Sequence, residues 1–418
     1  MRGPEDVAEA ARAGPRVLYI VYWGALEPLG QSLVVPAVVE LARRGVSLTL
    51  MTHEKPADLA PPASAQELRR TLDAAGVRWT PLRYHKRPRV PATSFDVLHA
   101  WLRGSLLGWR ERPHIVHART FVGGLMGLGV SRLAHCRLVF HNEGFYADEQ
   151  VDAGVWREGS RVHRLAKRLE STLYARADGV VTLSRAASAV VRELRGEGGR
   201  AKPIAVVPSA VDLEHFKARA RERVSLQEGP RFVYAGSVGG RYLLGDVGRF
   251  AAVARVRYPR THLTVLSWAD AGLVASTLRS AGLPDEAFEL RLVPRHDMPL
   301  ELPRHHAGLH FVRTAASGAG GSPTKVGEYW ACGLPVLVSS GLGDLDEIIG
   351  SEGVGVSLRE CSREAFEEAL SRLEILWRDP GSGPRCRRAA ERHYNLHAAC
   401  ETQVGLYDSV CRMPRLRS

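Results

Sequence analysis

The stretch GGSPTKVGEYWACGLPV, residues 320–336, gathers residue types suited to holding an anion. Ser322 is a good helix N-cap, Pro323 fits the first helical position, and Thr324 follows in the first turn. Gly333 supplies a left-handed residue past the helix end, and Pro335 prevents continuation. The first turn of such a helix offers unpaired amides and about half a positive charge. Gly318, Gly320 and Gly321 let a ligand approach the backbone closely. Lys325 puts a cation in that first turn, which the helix dipole disfavours unless an anion sits there too, so the pattern points to a phosphate or diphosphate. Glu328, three residues on, shares the face of Lys325 and is placed to accept hydrogen bonds from ribose hydroxyls. The plainer reading of the pair is a surface ion pair on a well-capped helix.

Five other loops carry reactive side chains. YAGSVGGRY, residues 234–242, follows a strand and offers Gly236, Gly239, Gly240 and Arg241. It fits the dinucleotide fingerprint poorly, but a glycine turn with an arginine reaching a diphosphate suits it. WGALEPLGQS, residues 23–32, holds Gly24 and Gly30, expected to make it flexible, and Gln31 and Ser32, expected to open a helix. Such a loop would close over a sugar or acceptor. FHNEGFYADEQ, residues 140–150, places His141, Glu143, Asp148 and Glu149 after a strand. These are candidates for catalysis, set against a structural histidine and solvated carboxylates. YHKRP at 84–88 is a basic, aromatic loop able to meet an anionic acceptor such as a lipid phosphate, and Arg119 in HART follows the fourth strand.

These loops need strands behind them, and short β-branched runs supply them. Strands are expected at Val17–Tyr22, Val46–Thr52, Val77–Pro81, Ile115–Ala118, Arg137–His141, Gly179–Leu183 and Ile204–Val207. Helical patterns lie between them near Gln31–Arg44, Ala65–Ala75, Phe95–Arg110, Val162–Ala175 and Arg185–Leu194. A second set of alternating elements runs from Phe232 to Leu376. Near-continuous apolar strands separated by helices mean parallel sheets covered on both faces. Two doubly wound α/β domains with Rossmann-like sheets, facing a cleft, are therefore expected, with ligands at the carboxyl ends of the strands. The expected division is a leader at 1–15, an N-terminal domain at 16–208, a hinge at 209–226, a C-terminal domain at 227–385, and a tail at 386–418. Cys386–Val410 reads as one long helix.

Composition narrows the partners. The chain has 418 residues, 45% of them hydrophobic and 24% charged, which excludes a mainly disordered chain. Its six cysteines form no metal-spaced or disulfide-like pattern, and no metal or resident cofactor is expected. No apolar run reaches the ~18 residues needed to span a bilayer. The first apolar stretch is too short for a signal peptide, so a cytoplasmic protein is expected. A net charge of +12 admits nucleic acid, an anionic membrane face or phosphorylated small molecules. Only six of the 57 basic residues are lysines. No aromatic-interleaved basic stripe or RNA-binding signature is present, so nucleic acid is not an expected partner. The basic N-terminal domain allows peripheral contact with the inner membrane face, although no single amphipathic helix stands out for it.

Taken together, PLGQS, HART, ARADGVVTLS at 175–184, VPSAVDLEHF at 207–216 and SPTKVGEYWACGLPV resemble the retaining glycosyltransferases of the GT-B fold, family 4. The resemblance implies a C-terminal domain that holds a nucleotide-diphosphate sugar and an N-terminal domain that holds a glycan, lipid-linked or small-molecule acceptor. Lys325 matches the phosphate-binding lysine. Glu328 matches the second Glu of the family's E-x7-E motif, which binds ribose. Arg241 stands in for the basic residue after the first strand of the nucleotide domain, and His141 is placed to hydrogen-bond the donor sugar. The first Glu of the motif falls at Gly320, as in related sequences with SPTK here. The Asp-x-Arg-Gly that accompanies SPTK reads His141-Asn142-Glu143-Gly144. The implied activity is transfer of a sugar from a nucleotide-diphosphate donor to an acceptor hydroxyl with retention, basic groups replacing a metal at the phosphates. A second reading is a GT-B-like protein that holds nucleotide or sugar without catalysis, as a partner subunit. A third, a nucleotide-sugar epimerase, requires paired carboxylates and a base that the sequence does not place.

Overall fold

The structure is a computed structural model that describes residues 14–60, 62–199, 201–217, 229–313, 315 and 317–414. The expected leader falls mainly, and the expected hinge partly, outside the described residues. The chain divides into two compact units. The first comprises residues through Tyr146, Arg164–Val207 and the chain from Leu396 onward; the second comprises Ala147–His163 and Pro208–Asn395.

In the first unit, β1 (Arg16–Val21), β2 (Ser47–Glu54), β3 (Arg78–Arg83), β4 (Ile115–Arg119), β5 (Arg137–His141), β6 (Gly179–Thr182) and β7 (Ile204–Val206) form one parallel sheet. Its order is β3-β2-β1-β4-β5-β6-β7. In the second, β8 (Arg231–Ala235), β9 (His262–Leu266), β10 (Phe288–Arg291), β11 (Ala307–His310), β12 (Val336–Ser339) and β13 (Gly355–Leu358) are again all parallel, in the order β10-β9-β8-β11-β12-β13. Strand alternation fills both faces of the second sheet. Phe232 and Tyr234 enter one buried cluster, Val233 and Ala235 the other. In each sheet the order reverses direction beside the first strand, between β1 and β4 and between β8 and β11. Loops diverge at such a reversal and leave a crevice at the carboxyl ends of the strands, where open α/β sheets bind ligands.

Three local expectations are revised. The tail is two helices, Ser382–His393 and Leu396–Arg412. The break falls at Tyr394, whose carbonyl accepts from the Val211 amide at 2.7 Å instead of continuing the helix. The second helix joins the first unit, packed on β5–β7 and on the Val35–Arg43 helix. Phe121–Leu133 is an additional helix, capped by Thr120, although it contains four glycines. Close packing explains them: a Cβ at Gly124 would lie 2.7 Å from the Phe140 ring. Ser322 does not cap the helix after it. That helix runs Thr324–Ala331 with Pro323 at its N-cap and no side-chain cap. The Ser322 hydroxyl instead accepts from the Ser209 amide at 3.2 Å and bonds to Tyr394. Gly333 takes the left-handed conformation expected past the helix end. Among the described residues no helix is long and apolar enough to cross a membrane.

Candidate functional site

At the reversal of the second sheet, the loop after β8 carries residues 236–243 and the loop after β11 leads into the Thr324–Ala331 helix. The glycines at 236, 239 and 240 all have positive φ, so the first loop turns back tightly and ends on Arg241. Gly318–Gly320 forms a short 3-10 turn in which the amides of Gly318, Gly320 and Gly321 bond to the carbonyls of Ala315, Ser317 and Gly318. Those amides are therefore spent within the turn. The donors left over belong to the first helical turn, where Thr324 and Lys325 have no intrahelical acceptor.

Lys325 and Glu328 form the i,i+3 pair, with Nζ 2.8 Å from Oε2. It is not a solvated surface pair. The Lys325 side chain is 33% exposed, but Glu328 is 1% exposed. Its other oxygen, Oε1, faces Arg295 Nη1 at 3.5 Å. A carboxylate buried this deeply must be paired, and here two cations share one anion, leaving one positive charge in excess. Arg241 pairs with Glu149 at 3.1 Å. Glu149 belongs to the Tyr146–Asp152 helix, where the sequence predicts a loop. Asp152 accepts from the Ser317 hydroxyl at 2.5 Å, and the Asp152 carbonyl accepts from Arg313 at 3.1 Å. A short acidic helix thus rests on both loops of the reversal. Beneath them, buried His310 ends β11. Burial, followed by the charges of Arg241 and Lys325, lowers its pKa to about 4. Both cations therefore act on one point at the strand end. Sequence spacing linked none of Arg295, Glu149, Asp152 or His310 to this site, because Arg295, the helix of Glu149 and Asp152, and the strand of His310 come from separate parts of the chain.

The first unit has its own polar cluster at the ends of β1, β4 and β5. Arg119 is buried and pairs with Glu143, while its Nη1 donates to the Leu33 carbonyl at 3.3 Å. Burial works against the Arg119 charge, but the Glu143 carboxylate and the Tyr19 hydroxyl outweigh it and raise the pKa. Glu143 is thus the counterion of Arg119. The loop at 24–31 is braced, contrary to the flexibility expected of it. Glu54 accepts from the Ala25 amide at 2.7 Å and from the Leu26 amide at 3.3 Å. The Gln31 side chain donates to the Ala25 carbonyl at 2.8 Å. A Cβ at Gly30 would strike the Gly24 carbonyl and the Ala25 backbone, so glycine here serves close packing.

His141 lies at the end of a hydrogen-bonded row. The Gln403 side-chain amide donates to the Tyr407 hydroxyl at 2.6 Å, Tyr407 meets His117 Nδ1 at 2.9 Å, and His117 Nε2 meets His141 Nδ1 at 3.1 Å. Burial raises the pKa of Tyr407 well above the tyrosine range, so its hydroxyl keeps its proton. Burial, reinforced by the Arg119 charge, drives both histidines well below the usual imidazole range, so both are neutral. The arrangement in which Tyr407 keeps its proton for His117 satisfies every member of the row. Tyr407 donates to His117, His117 donates to His141, and the remaining His141 proton sits on Nε2. That nitrogen is buried and has no partner among the described residues, and neither has the neighbouring Asn142 Nδ2. Two buried donors in want of acceptors therefore stand at the end of β5.

With this geometry in view, comparison with known proteins is informative. Residues 33–210 match the family model of the glycosyl transferase 4-like domain. The fold is GT-B. Sucrose-phosphate synthase from Thermosynechococcus elongatus is similar in structure, with a TM-score of 0.72 at 15% identity, covering 94% of this chain and 98% of that one. Anabaena Alr3699/HepE, solved in complex with UDP and glucose, has a TM-score of 0.64 at 13% identity, covering 94% and 100%. A UDP-N-acetylglucosamine 2-epimerase assigned in Listeria monocytogenes has a TM-score of 0.61 at 15% identity, covering 97% and 100%. A search of curated proteins finds no match. At these identities the solved structures establish the GT-B fold, which serves both sugar transfer and epimerisation.

Two outcomes test this site. His310 is neutral when folded and protonates on unfolding below its ordinary pKa of 6.5, so the stability it contributes is intact above that value and lost as pH falls toward about 4. Urea unfolding at a series of pH values should show that loss, and His310→Gln should flatten it; an unchanged slope contradicts the assignment. In nitrogen-15 spectra of the histidine rings, wild-type His141 should show its proton on Nε2. Tyr407→Phe should leave a mixture of tautomers at His117 and His141, whereas an unaltered His141 pattern would mean that the row does not set the proton.

Proposed function

We propose that the protein transfers a sugar from a nucleotide-diphosphate donor to an acceptor hydroxyl, with retention of the anomeric configuration. The observation that carries this reading is Lys325, in the first turn of the Thr324–Ala331 helix beside the sheet reversal, sharing a buried carboxylate with Arg295. Lys325, Arg295 and Arg241 against Glu328 and Glu149 leave one net positive charge, and the unpaired amides add to it. A diphosphate would bind to the amides of Thr324 and Lys325 and to the Lys325 ammonium. It would also compete with Glu149 for Arg241. Glu328, held by Lys325 and Arg295, would keep an oxygen lone pair for a ribose hydroxyl.

During transfer the bond from the anomeric carbon to the diphosphate oxygen breaks. The acceptor oxygen bonds to that carbon, and its proton leaves with the diphosphate. Negative charge grows on the leaving group, where Lys325, Arg241 and the helix amides are already aimed. In the first unit, His141 Nε2–H and Asn142 Nδ2–H would offer donors to the oxygens of a sugar bound there. Neutral His141 serves as a donor without bringing a competing charge. The UDP and glucose held by Anabaena HepE support a UDP-sugar as the first donor to try.

The test is depletion of nucleotide sugars from a mixed panel, read by mass spectrometry in the presence of candidate glycan and lipid-linked acceptors. The wild type should consume one donor, and Lys325→Ala should slow that consumption about a hundredfold or more. Matching thermal melts would show that Arg295 still holds Glu328. Near-normal consumption by the variant would overturn the assignment. Tight nucleotide binding with no turnover across the panel would instead identify a nucleotide-holding protein.

A further inference from the structure

The Arg89–Glu111 helix has two apolar faces where a surface helix needs only one. Its inner face is sealed against the unit. Ala92, Ala100, Gly104 and Gly108 are buried. A Cβ at Gly104 would lie 2.6 Å from Val130, and Trp101 Nε1 donates to the Leu125 carbonyl at 3.1 Å. The outer face carries Phe95, Leu98, Leu102, Leu106 and Trp109, all exposed, with Leu102 at 73% and Trp109 at 77%. Their spacing of three to four residues lines them up in one stripe about 21 Å long, at 1.5 Å per residue. A contiguous ridge of this kind is costly to leave in water and marks an interaction surface.

Charge selects the partner. Arg103 and Arg110 flank the stripe on the helix, Lys86 and Arg87 precede it and Arg112 follows, all of them exposed. None of these five has a carboxylate partner among the described residues. Residues 83–112 contain two acids, Asp96 and Glu111. Asp96 is buried and engaged by His85 at 2.6 Å and by the Tyr22 hydroxyl at 3.0 Å, and Glu111 is paired with Arg78. The free charge beside the stripe is therefore all positive. A second copy would bring the same uncompensated cations to the interface, whereas an anionic bilayer complements both the charge and the apolar ridge.

We propose that the Arg89–Glu111 helix docks the first unit on an anionic membrane surface. It lies in the plane of the interface with Phe95, Leu98, Leu102, Leu106 and Trp109 among the acyl chains and the arginines at the headgroups. The inference stands apart from the sugar-transfer reading, because docking is measured without donor or acceptor.

Co-sedimentation of the full chain with vesicles tests it. Wild type should pellet with vesicles of phosphatidylcholine and phosphatidylglycerol, and much less with phosphatidylcholine alone. Leu102→Ser/Leu106→Ser should lower the partition coefficient roughly tenfold or more, through lost apolar burial. Arg103→Gln/Arg110→Gln should lower it roughly tenfold, through lost attraction to anionic lipid. Ile375→Ser, which alters an exposed apolar residue of the other unit, should bind like wild type, and circular-dichroism melts should coincide for all variants. No binding by wild type, or binding by both double variants equal to that of wild type, would overturn the proposal. So would sedimentation equilibrium showing a dimer that Leu102→Ser/Leu106→Ser disrupts, because the stripe would then be covered by a second copy.

Discussion

A single carboxylate, Glu328, at 1% exposure, shapes the second unit's site. Taking such a group out of water is affordable only if opposite charge comes with it. Lys325 reaches it from one turn earlier on the same helix, and Arg295 from the connection after β10. The pairing keeps Lys325 at the mouth of the helix, against the preference of the helix dipole. What would otherwise be an unfavourable cation becomes a fixed one, with unpaired amides beside it.

The same economy of charge recurs elsewhere in the chain. Arg241 leans on Glu149, and buried Arg119 on Glu143. Each arginine is held in place by an acid and remains able to meet a stronger anion. Histidines around these cations have lost their own charge: His310 beside Arg241 and Lys325, and His117 and His141 beside Arg119. They therefore act as hydrogen-bonding groups of fixed direction. In the first unit that direction is set by Gln403 and Tyr407, from a helix that lies at the far end of the sequence yet packs beneath β5–β7.

Much of the scaffold was legible from the residues. The seven strands of the first unit fall on the short apolar runs that predict them, and the helix after Pro323 and its glycine stop follow from local chemistry. Other features depend on partners distant in sequence. Four glycines argue against a helix at Phe121–Leu133 until Phe140 is seen filling the space above Gly124. The break at Tyr394 depends on the Val211 amide. Gln31 and Gly30, expected in a mobile loop, are braced because Glu54 at the end of β2 reaches their turn. The Arg89–Glu111 helix was legible in outline, but which apolar side faces outward emerges only when its small residues are seen against Val130 and Ala134.

The most direct measurement is a structure of the protein crystallised with uridine diphosphate. The account predicts density for the diphosphate within about 3 Å of the Thr324 and Lys325 amides and of the Lys325 ammonium, hydrogen-bonding distance. Nucleotide bound elsewhere, with no phosphate at the helix mouth, would contradict it.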